Sequence, residues 1–381
     1  MYDFSLYGEL IADEPRTRPY VEALRQAVTP GSVVLDLGAG ATGFFAMLGC
    51  RFGARRVFAI EVDDAIQVAR ETARVNGFDG RIEFFHGRSA DISLPERADV
   101  IISDLGGVLP LSEDALVTLI DARKRLLAPG GRFIPARETL WVAGVDAPDL
   151  YDSYAEPWDA KAYDLDLGPA RQIMLNRMTR GAARLEQVRL EPRVWTTLDY
   201  ATIEDPNVRG RFDWVADSAA TIHGLCVWFD AELGGGFGFS NRPGEPEKVY
   251  GNGFLPLGRP TELEAGDRLA VDLRAELVGG DYVWRWNTTV TGDDGATRSR
   301  YRQSTLLGVP LAAASLRRRA STYVPVLGPD AEMDRHALET MMCGRSLGET
   351  AREMMTRYPG RFTRFEAALD HVGDLSVRYK G

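Results

Sequence analysis

Two acidic residues, Asp104 and Glu113, stand at the two ends of a glycine-containing loop in the segment VIISDLGGVLPLSE, residues 100–113. The apolar first half of this segment is typical of a buried strand, so Asp104 follows a strand end directly. Two carboxylates on one loop can hold a cation, localise its charge on chosen nitrogens and accept a released proton. A guanidinium suits this description. The pattern therefore predicts Asp104 and Glu113 as catalytic residues of an acceptor site.

A glycine loop lies upstream in the segment LDLGAGATG, which carries Asp36, Gly38, Gly40 and Gly43. The glycines allow a tight turn and a close approach of the backbone to a ligand. Glu61, at the end of the next predicted strand, is placed to accept hydrogen bonds from the hydroxyls of a ribose. Enzymes that use NAD and enzymes that use S-adenosylmethionine share these features. The residues predict a nucleotide-type cofactor site without choosing the cofactor.

The elements that must position these residues divide the chain into four segments. Residues 1–30 predict a helical N-terminal lid. Residues 31–140 alternate strands and helices, which is typical of a Rossmann-like α/β domain with a parallel sheet. Residues 141–315 contain longer strand-like runs separated by turn residues and predict an antiparallel β-barrel domain with an excursion near 155–180. Residues 316–381 carry apolar stripes at helical spacing and predict a small helical or winged-helix domain.

Individual elements of the α/β segment can also be predicted from their patterns. Short apolar runs predict strands at VVLDLG, RVFAIEV, RIEFFHG and ADVIISDL. Amphipathic runs predict helices at GFFAMLGCRFGA, DAIQVARETARVNG and ALVTLIDARKRLLAPGG, the last of which is expected to end at its glycines.

Composition limits the class of protein. The 381 residues predict two or three domains, and the net charge of −10 argues against general nucleic-acid binding while suiting a cationic substrate. No apolar run is long enough to cross a membrane, and the N-terminal residues lack the apolar core of a signal peptide. The spacing of Cys50, Cys226 and Cys343 fits neither a metal site nor a disulfide framework. We expect a protein of the reducing cytoplasm, without a bound metal.

The acidic loop resembles that of the protein arginine methyltransferases, whose motif there reads Ser-Glu-x-Met-Gly-Tyr-x(4)-Glu. In this sequence Asp104 stands at the position of the first glutamate and Glu113 at that of the second. Gly106 stands at the position of the methionine and Val108 at that of the tyrosine. On this resemblance the chain is identified as a divergent bacterial member of that family. The resemblance implies S-adenosyl-L-methionine as cofactor and a guanidino group, in peptidyl or free arginine, as methyl acceptor.

The N-terminal segment carries a second part of the resemblance. The run DEPRT followed by Tyr20 resembles the family helix Asp-x-x-Arg-Thr-x-x-Tyr, in which the arginine pairs with the methionyl carboxylate of the cofactor. That role maps to Arg16, since a guanidinium can bind a carboxylate through two hydrogen bonds. Phe4 and Tyr7 resemble the aromatic pair of the preceding helix, which closes over cofactor and substrate.

The acceptor site departs from the family pattern at two positions. The side chain of Asp104 is shorter than glutamate by one methylene, which moves its carboxylate back by about 1.5 Å. The family loop Thr-His-Trp corresponds to Lys248-Val249-Tyr250, so the histidine is absent and Tyr250 remains as the aromatic substrate contact. The acceptor then sits deeper or is a different cation, such as free arginine or an amine in a natural-product pathway.

The adenine contact departs as well. The family has a glutamate three residues after the glycine that corresponds to Gly87, and Ala90 holds that place here. Ser89, its backbone or Asp91 then remain as candidates for the adenine contact.

The resemblance also implies partners. The segment WDAKAYDLDLGPARQIML resembles the family's dimerisation arm, which implies a homodimer. The pattern GRSLGETAREMMTRYPGRFTRFEAALDHVGDLSVRY resembles the small winged-helix modules of the PqqD type, which capture leader peptides of ribosomally made natural products. Residues 320–381 would on this interpretation bind a leader peptide. The alternative is a helical cap that packs on the core.

Other functions stay open at this point. The same fold can methylate a different small-molecule or peptide acceptor, or serve as a non-catalytic scaffold. The acidic residues also have a structural interpretation, in which Asp104 caps a turn and Glu113 caps a helix after Ser112. A dehydrogenase is less well supported, because no histidine or lysine suited to hydride transfer stands at the acceptor position.

Overall fold

The computed structural model describes residues 3–159 and 162–379, and its chain divides into two compact units between Pro310 and Leu311. The helices are α1 (Phe4–Ala12), α2 (Glu14–Ala27), α3 (Phe44–Arg51), α4 (Ile66–Val75), α5 (Ala115–Arg125), α6 (Pro148–Asp159), α7 (Gly168–Met174), α8 (Ala313–Arg318), α9 (Pro329–Met342), α10 (Leu347–Arg357) and α11 (Phe365–Tyr379). None of the described helices is long and apolar enough to span a membrane.

The strands follow the same chain order. They are β1 (Val33–Leu37), β2 (Arg56–Glu61), β3 (Ile82–His86), β4 (Ala98–Ser103), β5 (Leu127–Ile134), β6 (Arg137–Val145), β7 (Thr179–Gly181), β8 (Arg193–Asp199), β9 (Val208–Val215), β10 (Ala220–Gly234), β11 (Phe237–Ser240), β12 (Asn252–Leu263), β13 (Arg268–Val278), β14 (Asp281–Thr291) and β15 (Thr297–Tyr301).

The first sheet is parallel and has the strand order β3-β2-β1-β4-β5. Every residue of β1 is buried, as expected for a short apolar run covered by helices on both faces. Leu37 pairs with Ser103 across β1 and β4, so these two strands end side by side, and β2 ends beside β1 at Glu61. The strand order reverses between β1 and β4, and open α/β sheets bind ligands at that point. The predicted α/β class is confirmed.

One predicted helix is too long. The segment ALVTLIDARKRLLAPGG was expected to be helical to its glycines, but α5 ends at Arg125 and β5 begins at Leu127. Pro129 lacks a backbone N–H and disfavours helical backbone in the residue before it. Gly130 has a φ of +77°, which also ends a helix. The Pro-Gly-Gly run forms an irregularity in the pairing of β5 with β4.

Two antiparallel sheets follow and confirm the predicted antiparallel domain. One has the order β7-β12-β10-β6-β8, with β11 added on β10, and the other has the order β15-β14-β13-β9. Burial alternates along β14, where Trp284 and Trp286 point into the core and Trp286 donates from Nε1 to the carbonyl of Pro256 at 2.8 Å. The inward side chains of both sheets share one apolar core with the parallel sheet. The site described below therefore lies against one continuous apolar core.

The predicted excursion near 155–180 consists of α6 and α7, which lie between β6 and β7. Tyr151 and Ala155 of α6 are buried and pack with Trp228 and Phe254 of the antiparallel sheet. Between the two helices, Tyr163 is 97% exposed and Leu165 is 61% exposed.

The second unit contains α8 to α11, whose own core includes Met333, Met354, Phe362 and Val372. Helix α10 begins with a capping box, in which the Ser346 hydroxyl accepts from the Glu349 amide and the Glu349 carboxylate accepts from the Ser346 amide. Within residues 311–379 every regular element is a helix. The helical prediction is thus confirmed, and the strands of a winged-helix module are absent from these residues.

Candidate active site

The glycine loop after β1 is held from below by Asp36. Gly38, Gly40 and Gly43 have φ values of +81°, +61° and +60°, a region that favours glycine. The Asp36 carboxylate, 1% exposed, accepts a hydrogen bond from the Ala46 amide in α3 at 2.8 Å. Burial raises the pKa of Asp36 to about 7. Asp36 therefore shapes the loop from beneath and does not line the cavity beside it.

Glu61 fixes the opposite side of the loop. Its Oε2 accepts from the Gly40 amide at 2.9 Å, and its Oε1 accepts from the amides of Val62 and Asp63 at 2.8 and 2.9 Å. Three backbone donors on one carboxylate fix its orientation. Glu61 thus joins the glycine loop to the turn after β2.

A cavity of about 520 Å³ opens beside this loop. That volume lies in the range of small-molecule sites. Of the predicted residues it brings together Gly38, Glu61, Ser89 and Glu113, and α5 contributes Val117 to the wall. We call this cavity the nucleotide groove.

Arg125 positions one wall of the nucleotide groove and was missed by the sequence analysis. Its guanidinium donates to the Ser89 carbonyl at 2.7 Å and to the Asp121 carboxylate at 2.5 Å. The signal was present, because Asp121 and Arg125 form an i,i+4 acidic–basic pair on a predicted helix.

Helix α1 closes over the glycine loop through Tyr7. Its hydroxyl hydrogen-bonds with the Thr42 hydroxyl at 3.0 Å and donates to the Ala39 carbonyl at 3.4 Å. A methyl group added at Gly40 would stand 2.5 Å from the Tyr7 ring. Burial raises the pKa of Tyr7 to about 12, so the hydroxyl remains a donor at neutral pH. Phe4 lies on the same helix and is 53% exposed.

Replacing Gly40 with alanine is expected to release α1 from the loop. The added Cβ meets the Tyr7 ring, whereas the same change at Gly53, also at positive φ, meets open space. Both variants carry the backbone penalty of about 1 kcal/mol, but only Gly40→Ala should raise amide hydrogen exchange in residues 4–12, by tenfold or more (about 1.4 kcal/mol of opening free energy). Equal exchange in the two variants would contradict the proposed contact.

Asp104 follows β4 and has a partner on each carboxylate oxygen. Arg16 of α2 forms an ion pair with Oδ2, and the Tyr250 hydroxyl donates to Oδ1 at 2.5 Å. Arg16 is 1% exposed and also donates from Nη2 to the Leu10 carbonyl at 2.5 Å. Burial lowers the pKa of Arg16, but the charge of Asp104 together with Tyr250 and Tyr20 raises it by more and leaves that pKa above its usual value. The cation is therefore permanent.

Arg16 has one donor left over. Its Nε is buried and has no hydrogen-bond partner among the residues that the structure describes. An unpaired donor on a buried cation is costly unless an anion completes the site. The arrangement is suited to a ligand carboxylate.

Glu113 and Asp104 line different cavities. Glu113 is exposed, has a φ of +43° and lines the nucleotide groove, whereas Asp104 lines a second cavity. The side chain of Leu105 borders both cavities and packs against Gly38. Positive φ in a glutamate is a strained conformation of the kind found at functional loops.

Comparison with known proteins identifies the family. Protein arginine N-methyltransferase 6 of Danio rerio is 31% identical over 239 residues, which cover 60% of this chain and 68% of that protein. This chain belongs to the protein arginine N-methyltransferase family. Probable protein arginine N-methyltransferase 6 of Arabidopsis thaliana is 33% identical over 239 residues, which cover 60% of this chain and 54% of that protein. The chain thus spans about half of the length of that plant relative.

Solved structures of arginine methyltransferases share the fold. The PRMT1 enzyme–prozyme heterotetrameric complex of Trypanosoma brucei with AdoHcy has a TM-score of 0.71 at 23% identity, covering 79% of this chain and 98% of that one. Protein arginine methyltransferase 10 of Arabidopsis thaliana has a TM-score of 0.67 at 22% identity, covering 78% and 96%. The family model for ribosomal protein L11 methyltransferase (PrmA) also matches residues 13–136.

This arginine methyltransferase family member carries Lys248-Val249-Tyr250 at the loop facing α2. Tyr250 is 7% exposed and reaches Asp104, as described above. The Val249 amide donates to the Asp13 carboxylate at 2.9 Å, which ties this loop to the start of α2. Lys248 donates to the Pro246 carbonyl at 3.1 Å, and burial lowers its pKa.

The family resemblance gave no indication of two further residues at the second cavity, which we call the acceptor cavity. Glu138 of β6 lines it together with Asp104 and Tyr250, and the Tyr200 hydroxyl donates to Glu138 Oε2. Glu138 is 7% exposed. A signal was available, because Glu138 has the same strand parity as Leu140 and Val142, which are buried.

Proposed function

We propose that this chain transfers a methyl group from S-adenosyl-L-methionine to a guanidino nitrogen of arginine, in a peptide or free. The observation that carries the proposal is the position of Asp104. It stands at the carboxyl end of β4, beside the glycine loop, with its carboxylate oriented by a buried arginine and a buried tyrosine. Family membership supports the same activity.

The residues of the nucleotide groove fit the cofactor, together with Arg16 of α2, which does not itself line the groove. Arg16 Nε lacks a partner among the described residues and would pair with the methionyl carboxylate. Glu61 lines the groove and would accept from the ribose hydroxyls, while Ser89 is the candidate for the adenine contact. The positive φ of Gly38 and Gly40 lets the loop turn sharply, and their missing side chains make room for Leu105 and Tyr7. Tyr7 and Phe4, on α1, would cover the bound cofactor.

The chain's own groups would orient the acceptor and remove its excess proton. When bound, S-adenosyl-L-methionine supplies an electrophilic methyl group on a sulfonium. Asp104 would bind a guanidinium and keep positive charge on the nitrogens that do not react, which leaves lone-pair density on the attacking one. Tyr250 would hold Asp104 in place. Orientation contributes most of the rate in such a displacement, with effective molarities on the order of 10⁵ M or more.

Intact-mass analysis tests this proposal. The full chain is incubated with S-adenosyl-L-methionine and either free L-arginine or an arginine-containing peptide. We expect a methyl increment on one of them, and no increment with Glu61→Ala, which removes the acceptor of three backbone amides. Calorimetric binding of S-adenosylhomocysteine without any increment would refute the guanidino acceptor and favour a different acceptor on the same fold. Absence of cofactor binding would favour a scaffold.

We further infer a homodimer that pairs through α6 and α7. Support comes from the resemblance of this segment to a dimerisation arm and from the exposure of Tyr163 and Leu165 at its tip. An exposed apolar pair in an otherwise packed hairpin suits an interface. Sedimentation velocity would show a dimer that Leu165→Asp converts to a monomer; a wild-type monomer at micromolar concentration would refute the inference.

We also infer that residues 320–381 bind the leader peptide of a precursor in a bacterial natural-product pathway, in the cytoplasm. The sequence of α10 and α11 resembles the PqqD type, although residues 311–379 lack the strands of a winged helix. Further support comes from the exposed Val324 and Val326 and from the three free cysteines, which suit a reducing compartment. A chain ending at Pro310 should still methylate a short peptide and lose any preference for a leader-bearing one. Unchanged preference would refute this role.

A further inference from the structure

We propose that Glu138 is the second carboxylate of the acceptor cavity: together with Asp104 it binds the cationic acceptor and receives the proton that the acceptor loses. This inference rests on the proposed methyl transfer and assigns to Glu138 the role that the sequence pattern suggested for Glu113.

The placement of Glu138 is the first argument. Strand β6 carries it into the core, where it is 7% exposed and lines the same cavity as Asp104. In the ligand-free chain this cavity measures only about 20 Å³, so its walls must move apart to admit the acceptor. Aromatic side chains form much of the remaining wall, namely Tyr20, Tyr200, Phe229, Phe239 and Tyr250. Carboxylates backed by aromatic faces bind a flat, delocalised cation well, because ring faces attract positive charge.

Hydrogen bonding leaves one oxygen of Glu138 available. Tyr200 donates to Oε2, and no residue in the described part of the chain donates to Oε1. An acceptor oxygen without a protein donor gains a partner when a donor enters the cavity. A guanidinium N–H is such a donor.

Charge balance is the second argument. Arg16 already neutralises Asp104, so this pair alone offers little net attraction to a cation. Glu138 has no cationic partner within the described residues: its carboxylate accepts from Tyr200, and the charge of Asp104 acts on it. An ionised Glu138 therefore supplies the unbalanced negative charge. Glu113 is exposed and lies on the nucleotide groove instead.

The proton has a defined destination in this arrangement. The acceptor nitrogen forms a bond to the methyl carbon, the carbon–sulfur bond breaks with its electron pair on sulfur, and the nitrogen's proton passes to Glu138. Burial raises the pKa of Glu138 to about 7, the Tyr200 hydrogen bond lowers it, and the charge of Asp104 raises it. A base with a pKa near the working pH is effective. The titratable groups around it are Asp104, Tyr20, Tyr200 and Tyr250.

The pH profile of methyl transfer tests the assignment, with Glu138→Gln and Glu113→Gln compared. Glutamine keeps an acceptor for the Tyr200 hydroxyl and removes the charge. For the wild type we expect the rate to rise with pH up to about 7, since Glu138 must be ionised. In Glu138→Gln the rise of the rate with pH should disappear, and kcat should fall on the order of 10²–10³-fold. Its affinity for S-adenosylhomocysteine should be unchanged. Glu113→Gln should keep the rise.

Tyr200→Phe provides a second readout. It removes the hydrogen bond that lowers the pKa of Glu138, so the rising limb should move to higher pH. A purely structural role of Glu138 would not shift the limb. Wild-type rate and profile in Glu138→Gln, or an unmoved limb in Tyr200→Phe, would overturn the inference.

A binding measurement separates this inference from the proposed function. Methylguanidinium is titrated into the full chain saturated with S-adenosylhomocysteine, by calorimetry at pH 6 and pH 8. We expect tighter binding at pH 8 in the wild type and equal binding at both values in Glu138→Gln. If no guanidino compound is methylated, the proposed function is refuted. The binding measurement alone then tests whether Glu138 is a cation ligand. Equal wild-type affinity at both pH values would refute Glu138 as a cation ligand.

Discussion

Replacing Asp104 with asparagine is expected to reduce methyl transfer by on the order of 10²–10³-fold while binding of S-adenosylhomocysteine becomes no weaker. Asparagine has the size of aspartate and can still accept from Arg16 and contact Tyr250. The variant therefore removes the charge and keeps the geometry. Initial rates and calorimetry measure the two quantities on the same preparation.

Methyl transfer and cofactor binding respond differently because Arg16 can pair with two anions, Asp104 and the cofactor carboxylate. In the ligand-free chain, Asp104 is the charged partner of this buried cation. Without that charge the free energy of unfolding should fall by about 3 kcal/mol, the cost of an uncompensated buried charge. The cofactor carboxylate can then serve as the replacement partner. Excess S-adenosylhomocysteine should restore more stability in Asp104→Asn than in the wild type.

Tyr250→Phe is the matched control for Asp104→Asn. It removes the hydrogen bond to Oδ1 and leaves both charges of the ion pair in place. Its rate should fall by about tenfold, the lower end of the roughly 1.5–3 kcal/mol that a hydrogen bond to a charged group contributes. If Asp104→Asn lost cofactor binding together with activity, Asp104 would be a structural partner of Arg16 and not a ligand of the acceptor.

The sequence predicts that three acidic residues, Asp36, Glu61 and Asp104, come together at one edge of the parallel sheet. Each follows or ends a short apolar run, and parallel strands place their carboxyl ends together. The contact between the lid and the loop was predictable in kind, since Phe4 and Tyr7 resemble the family's aromatic pair in the helix before the DEPRT run. The particular contacts of Tyr7 with Gly40 and Thr42 depend on how α1 packs, which local pattern does not encode.

The acceptor side was less predictable, for two physical reasons. The loop from Asp104 to Glu113 contains two glycines, so its backbone can take several paths. The number of residues between Asp104 and Glu113 therefore does not fix where Glu113 lies. In the structure Glu113 lines the nucleotide groove. Glu138 lies in β6 and Tyr200 directly follows β8, 62 residues further along the chain. The parity of Glu138 indicated burial, but its partner and its cavity depend on long-range packing.

The ligand-free chain is expected to lose stability as the pH rises from 5 to 8. Burial raises the pKa of Asp36 to about 7 and that of Glu138 to about 7, whereas unfolded carboxyls titrate near pH 4. Between these values the folded state binds more protons than the unfolded state, so the free energy of unfolding falls with pH. Each carboxyl contributes on the order of 3 kcal/mol. Carboxyls with lowered pKa values, such as Asp121, titrate below this window and oppose the trend only at acid pH.

Urea unfolding at pH 5, 6, 7 and 8 measures how the free energy of unfolding changes with pH. Two isosteric variants show how much of that change each carboxyl contributes. Glu138→Gln and Asp36→Asn should each match the wild type at pH 5 and exceed it in stability at pH 8, because each removes one buried group that resists ionisation. Glu71→Gln, a change at an exposed ion pair on α4, should keep the full change with pH. Wild-type stability that rises between pH 5 and 8 would mean that both carboxyls are ionised without cost. In that case Glu138 would already have a cationic partner, and its place as a free ligand for the acceptor would be lost.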